Sequence, residues 1–285
     1  MAYLFLSVLS FAINNVLWAK FAPGQSPLSL IGKRAIFTSL FMGLILFLAA
    51  TISIKFTLSL SDIPLLFLIG LPGFMGLYFL VQGFKNGNIL QFSIYSLLFT
   101  CVVGAIGEQS GRVDILGRAV PFILVVLGYL HFTLFQFRNT SKISMVIRPH
   151  LYFLAAHLFL GITLFLQWHY LTYVSGIVLG LSQEIVVMAM AFALVSFHPK
   201  NAPKSPPLSW YYYGILALPI SIAVLLGLEG LRSTHPFHSA MIGLLTPITT
   251  VLLGHIWGLE RANAKALHGL VIMSIGLLFF YVWPT

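Results

Sequence analysis

Glu184 is the residue of this sequence that is best placed to do chemistry, because it is an acid in the middle of a long apolar run. A carboxylate removed from water must either take up a proton or pair with a cation. Two hypotheses follow. Glu184 is a titrating group whose proton couples to function, or it forms a structural ion pair, with Arg34 or Lys33 as the partner.

Uncharged polar and aromatic side chains recur in the other apolar runs at spacings that place them on shared helical faces. They indicate either the wall of a small-molecule site, where amides and aromatic rings meet a ligand, or hydrogen bonds between helices worth about 0.6 kcal/mol each. The histidine of this set is either a protonation switch or a hydrogen-bonded packing residue. The candidates are Asn14, Asn15, Trp18, Tyr78, Gln82, Gln91, Tyr95, His157 and Trp168.

Metal and cofactor chemistry is not indicated. His235 and His238 lie close in sequence, but no cysteine or carboxylate is nearby to complete a tetrahedral set. No glycine-rich phosphate loop is present. The six acids are scattered, which argues against an enzyme. At the end of one apolar run, Asp114 and Arg118 are four apart and predict a local pair.

The composition says which elements position these residues. Hydrophobic residues make up 59% of the 285-residue chain and charged residues 7%. A soluble fold would lack the polar surface to cover so much apolar area, and long unbroken runs favour helices over barrel strands. We therefore predict an all-α integral membrane protein of ten transmembrane helices, near 2–19, 28–51, 63–84, 88–107, 114–136, 149–168, 174–197, 210–231, 237–257 and 265–283.

An internal repeat divides these spans into two sets of five. Leu17–Trp18 and Lys33–Arg34 match Gln167–Trp168 and Gln183–Glu184 at a shift of 150 residues, and Pro72 matches Pro219 at a shift of 147. The repeats would be residues 1–137 and 149–285, joined by a polar linker over 138–148. Because five is odd, the second copy must enter the membrane from the opposite side, which makes the repeats inverted.

The order of several motifs resembles the drug/metabolite transporter superfamily, in its ten-span EamA-type branch. They are Trp18, Ser26-Pro27-Leu28 and Arg34, then Phe84-Lys85-Asn86-Gly87-Asn88, and in the second half Ser239-Ala240, Leu244-Leu245-Thr246-Pro247, Leu253-Gly254, Glu260, Gly269 and Gly276. Two positions depart from the pattern: Thr100 stands where a proline would match Pro247, and Glu184 replaces a basic residue. The resemblance implies secondary transport of a small metabolite or drug without ATP.

The expected partners are a small-molecule substrate and membrane lipids, with no nucleic acid, because the 15 basic residues stand singly in short loops. The alternatives are an intramembrane lipid-processing enzyme and an uncoupled channel or sensor. We expect a multi-pass protein of a bacterial inner membrane, either monomer or homodimer. The bias of Lys and Arg places the termini outside the cell, whereas the resemblance implies termini inside.

Overall fold

The computed structural model describes residues 1–21, 25–51, 63–86, 89–137, 147–197, 208–258 and 263–282. Over these ranges the chain is helical, as predicted. The predicted linker lies, up to residue 146, outside the described residues, as does Glu260. The helices are α1 (Ala2–Phe21), α2 (Pro27–Thr51), α3 (Ile63–Asn86), α4 (Ile89–Gln109), α5 (Ala119–Phe137), α6 (Ile147–Tyr170), α7 (Gly176–Phe197), α8 (Trp210–Arg232), α9 (Pro236–Gly243), α10 (Leu245–Ile256) and α11 (Ala264–Val282).

Within the described ranges, nine helical stretches are long and apolar enough to cross a membrane, and Ala2–Trp18 adds a shorter apolar helix. One of the nine, Pro236–Ile256, combines α9 and α10. Many large apolar side chains point outward, as expected when the surrounding solvent is lipid; Leu44 is 56% exposed and Leu134 64%. The prediction of a polytopic membrane protein is confirmed.

The ninth predicted span is two consecutive helices rather than one. Pro247 has no backbone N–H, so the carbonyl of residue 243 loses its helical partner. The chain tightens at Leu244, whose N–H contacts the carbonyls of Ala240 and Met241 at 3.2 and 3.3 Å. In the first half Thr100 occupies the corresponding place, and α4 is continuous.

The helices of the two halves pair in a pattern that survives exchange of the halves. We match α1, α2, α3, α4 and α5 of the first half, in that order, with α6, α7, α8, α9–α10 and α11 of the second. Exchanging the halves then turns the α1–α8 contact into the α6–α3 contact, and the structure has both contacts. Likewise α2 on α8 becomes α7 on α3. The pairs α2–α7 and α5–α11 map onto themselves. This is the pairing that a duplication of five helices would produce.

The α5–α11 contact brings two backbones together. A Cβ atom added to Gly128 would lie 2.7 Å from the carbonyl oxygen of Gly269, and one added to Gly276 would lie 2.7 Å from the backbone nitrogen of Val125. Small residues are what allow membrane helices to approach this closely. Phe132, Met273 and the rings around them complete an apolar cluster at this pair.

Candidate functional site

A cavity of about 960 Å³ lies between the two halves. Its wall is built from α1, α2, α3 and α4 of the first half and α6, α7, α8, α9 and α10 of the second. The α5–α11 pair contributes no lining residue. The volume falls in the range of small-molecule pockets, and most of the wall is apolar, as such pockets require.

An ion pair between the halves forms part of the wall. The Nη2 atom of Arg34 on α2 lies 2.9 Å from Oε2 of Glu184 on α7, and the side chains are 1% and 5% exposed. A buried charge is tolerated only when it is paired, and here each charge compensates the other. The structure therefore selects Arg34 as the partner of Glu184.

An amide pair lies on the same side of the cavity. The side-chain nitrogen of Gln167 on α6 donates to the side-chain oxygen of Gln183 on α7. The other end of Gln183 fits against α3 only because residue 73 is glycine, since a Cβ atom there would lie 2.6 Å from its Nε2 atom. The amides and the neighbouring ion pair give one wall of an otherwise apolar cavity its polarity.

The two asparagines of α1 line the cavity and also bind neighbouring helices. In the amide orientation that satisfies both neighbours, Asn14 accepts from Trp18 Nε1 at 2.9 Å and donates to the carbonyl of Leu216 at 3.2 Å. Asn15 Nδ2 lies 3.5 Å from the Thr250 hydroxyl. The amides of this face therefore join helices, and both asparagines and Trp18 also line the cavity.

His157 also lines the cavity, and its contacts define its tautomer. Nδ1 lies 2.8 Å from the carbonyl oxygen of Phe153, which can only accept, so Nδ1 carries the proton. Nε2 is then the acceptor for the Ser96 hydroxyl at 3.0 Å. The rings of Phe92 and Phe99 flank the imidazole, with centroids 5.2 and 6.2 Å away. A neutral histidine satisfies every contact of this site.

Comparison with known proteins decides the family. Residues 147–282 match the model of the EamA-like transporter family. The second half of this chain belongs to the EamA-like transporters. The predicted relation to the drug/metabolite transporter superfamily is confirmed, and the protein is a membrane transporter of that type.

Comparison with solved structures covers the whole chain and concerns the fold. The crystal structure of another protein superposes on 99% of this chain and 96% of its own length, with a TM-score of 0.74 and 13% sequence identity. At that identity the likeness shows the fold alone. Comparison with curated protein sequences gives no match.

The remaining predicted residues lie outside the cavity lining. Gln82 Nε2 contacts the Tyr78 hydroxyl at 3.1 Å. Gln91 and Tyr95 both contact the ring of His150, at 3.0 and 3.3 Å, which joins α4 to α6.

Trp168 faces away from the cavity, toward the ends of α4 and α8. Its ring packs edge-on against His235 at 5.0 Å, and the guanidinium of Arg112 lies 5.0 Å above it. Of the two candidates on α6, His157 lines the cavity and Trp168, near the end of the helix, does not. The lining residue there is Gln167.

Sequence reasoning also missed several lining residues. Gln167 and Gln183 carry the signal that singled out Asn14, an amide inside an apolar run, but they served only to align the repeats. Thr246 and Thr250 lie beside Pro247, and a helix interrupted by proline is a pointer to a transporter cavity.

Proposed function

We propose that this protein is a secondary transporter that carries a small organic molecule by alternating access. The moving parts are two inverted halves, residues 1–137 and 149–285. The observation that supports this most strongly is that corresponding helices of both halves enclose one cavity. In inverted-repeat transporters, the substrate binds between the repeats, and one repeat rocks against the other. The proposed location is a bacterial inner membrane.

The lining favours a neutral or zwitterionic substrate with an apolar or aromatic body. The charges deep in the wall cancel as the Arg34–Glu184 pair, and Lys85 stands in the last turn of α3 at one end of the cavity. A substrate with a net charge would meet no unpaired counter-charge at the centre. Trp18 and Phe99 offer rings for packing, and the amides of Gln167 and Gln183 offer hydrogen bonds.

Glu184 and Arg34 act in this proposal as a pivot and not as a proton carrier. Their positions correspond under the repeat, at a shift of 150 residues, and they touch each other. A contact between corresponding residues lies on the axis that exchanges the halves. Rocking about that axis moves the ends of the helices much more than it moves the pair, so the ion pair persists in both states.

Counterflow in proteoliposomes tests the proposal. A thermal-shift screen of metabolites on the purified protein supplies candidate substrates, and labelled substrate should then enter vesicles preloaded with the unlabelled compound, chemically unchanged. A variant with the cavity filled, Gly73→Leu, should lose this exchange. Its matched control, Gly43→Leu on α2, should keep it, because nothing lies within 4 Å of a Cβ atom added there. Chemical conversion of the compound, or exchange unaffected by Gly73→Leu, would refute the proposal.

A further inference from the structure

A group of cationic and donor side chains lies where α4, α5, α8, α9 and α11 end or begin, away from the cavity. We call Arg112, Arg118 and His235 the basic cluster. His238 joins its two parts, because its ring centroid lies 6.3 Å from that of Phe280 and its backbone N–H donates to the His235 carbonyl at 2.9 Å. Arg112 stacks on Trp168, which packs against His235. The guanidinium of Arg118 lies 5.4 Å above the ring of Phe280, and its Nη1 atom donates to the Phe280 carbonyl at 3.3 Å. None of the three lines the cavity.

Among the described residues, no carboxylate pairs with these arginines. Across the described ranges, acid–base contacts within 4 Å are confined to Arg34–Glu184 and Arg232–Glu229. The two acids of the α4–α5 connection bind backbone instead: Glu108 accepts from the N–H of Ile115, and Asp114 from the N–H of Gly117 at 2.7 Å.

The predicted Asp114–Arg118 pair is therefore wrong, because the carboxylate closes the turn before α5 while the arginine turns to α11. The Nε atom of Arg118 is buried and finds no acceptor among the described residues. Burial, together with the positive charge of Arg112, lowers the pKa of His235 below its ordinary value. The two arginines of the cluster thus make no direct ion pair with a described carboxylate.

The surface beside the cluster is apolar and faces outward. Leu116, between the two arginines in sequence, is 77% exposed, and Val120 one turn later is 62% exposed. At the end of α11, Val282 is 69% exposed. Arginines that make no ion pair with a described carboxylate, next to outward-facing aliphatic side chains at the ends of membrane spans, are suited to meet a lipid headgroup and its chains.

We propose that the basic cluster binds the phosphate of an anionic phospholipid. Arginine matches phosphate oxygens with its planar fork of donors, and the ring of His235 adds a donor. His235 Nδ1 accepts from the N–H of Phe237 at 3.2 Å, so the proton of the neutral ring is on Nε2. The acyl chains would run along Leu116 and Val120. A soluble phosphate ester would gain nothing from that apolar surface.

Lipid titration of the full-length protein in detergent, followed by native mass spectrometry, tests the site. Wild type should bind phosphatidylglycerol more tightly than phosphatidylcholine. Because each arginine near a headgroup contributes about a fivefold factor, Arg112→Gln should weaken phosphatidylglycerol binding about fivefold and Arg112→Gln with Arg118→Gln about 30-fold. Should the double variant not fold, the exposed Arg112 alone decides the result.

Arg232→Gln is the matched control. It removes the same charge three residues from His235, but Arg232 already contacts Glu229 at 3.5 Å, so its loss should leave the lipid preference unchanged. Equal binding of both lipids, or an equal effect of Arg112→Gln and Arg232→Gln, would overturn the proposal. Inorganic phosphate forms the third arm: competition at the same concentration as the lipid would show a soluble-anion site and would also overturn it.

Discussion

The α2–α7 and α5–α11 pairs are alike in one respect, because each maps onto itself when the two halves are exchanged. They are built differently. The first contact includes a buried ion pair and borders the cavity, whereas the second is an approach of backbones at glycines and borders none of it. Two helix pairs of the same kind can therefore differ in role, since one lines the cavity and the other packs outside it.

The largest expected effect comes from breaking the ion pair. Arg34→Ala or Glu184→Ala leaves one charge buried without a counter-charge and should destabilise the protein by about 3–5 kcal/mol. Thermal unfolding in detergent measures this loss. The exchanged pair, Arg34→Glu with Glu184→Arg, should recover most of it, because the axis makes the two positions equivalent.

Arg232→Ala provides the control for that experiment, since its partner Glu229 is 42% exposed and such a pair contributes at most about 1 kcal/mol.

Glu184→Gln distinguishes the role of Glu184 as a pivot from a role as a proton carrier. The pivot predicts that counterflow and proton-driven uptake decline together. Loss of proton-driven uptake with counterflow intact would restore the proton-coupling hypothesis for Glu184.

An intermediate effect is expected on the scaffold side. Gly128→Ala places a Cβ atom against the backbone of α11 and should destabilise the protein by about 1–3 kcal/mol, the usual range for overpacking. Transport per folded molecule should stay at the wild-type level, because α5 borders none of the cavity. The unfolding temperature tests the predicted loss of stability, and counterflow tests the predicted transport. Both are measured on the same preparation, with Gly43→Ala as control.

The smallest effect on stability, and a selective effect on binding, is expected at Gly73. Gly73→Ala pushes Gln183 away from α3, and the flexible amide can move at low energetic cost. We expect a loss of substrate affinity of about tenfold, or about 1.4 kcal/mol, with little change in unfolding temperature. Binding titrations on wild type, Gly73→Ala and Gly43→Ala measure it. Unchanged affinity would show that the Gln167–Gln183 amide pair is not part of the substrate site.

Much of this fold could be predicted from the sequence, because apolar runs long enough for the bilayer allow only helices, and their breaks carry turn residues. The residues of the site could be predicted only in part. A polar residue inside a span announces itself, so Glu184, Asn15 and His157 were found. The direction in which a helix faces cannot be read in the same way, because a helix that is apolar all round shows no preferred side. For this reason the sequence pointed to Trp168 and not to Gln167.

The partner of Glu184 also lay beyond the sequence. Lys33 and Arg34 are adjacent, and only the rotation of α2 decides between them. The structure turns Lys33 toward the rings of Trp210 and Tyr213, at 5.9 and 5.5 Å, and Arg34 toward the cavity.

Thiol accessibility at the two ends of the cavity tests the central claim most directly. In a Cys101→Ser background, Ser7→Cys labels the end near the start of α1, and Lys85→Cys labels the end near the close of α3. Alternating access of two inverted halves predicts that a bound substrate changes the reaction of the two cysteines with a membrane-impermeant thiol reagent in opposite directions. A parallel change at both ends, or reactivity at both from one side of the membrane, would contradict the account.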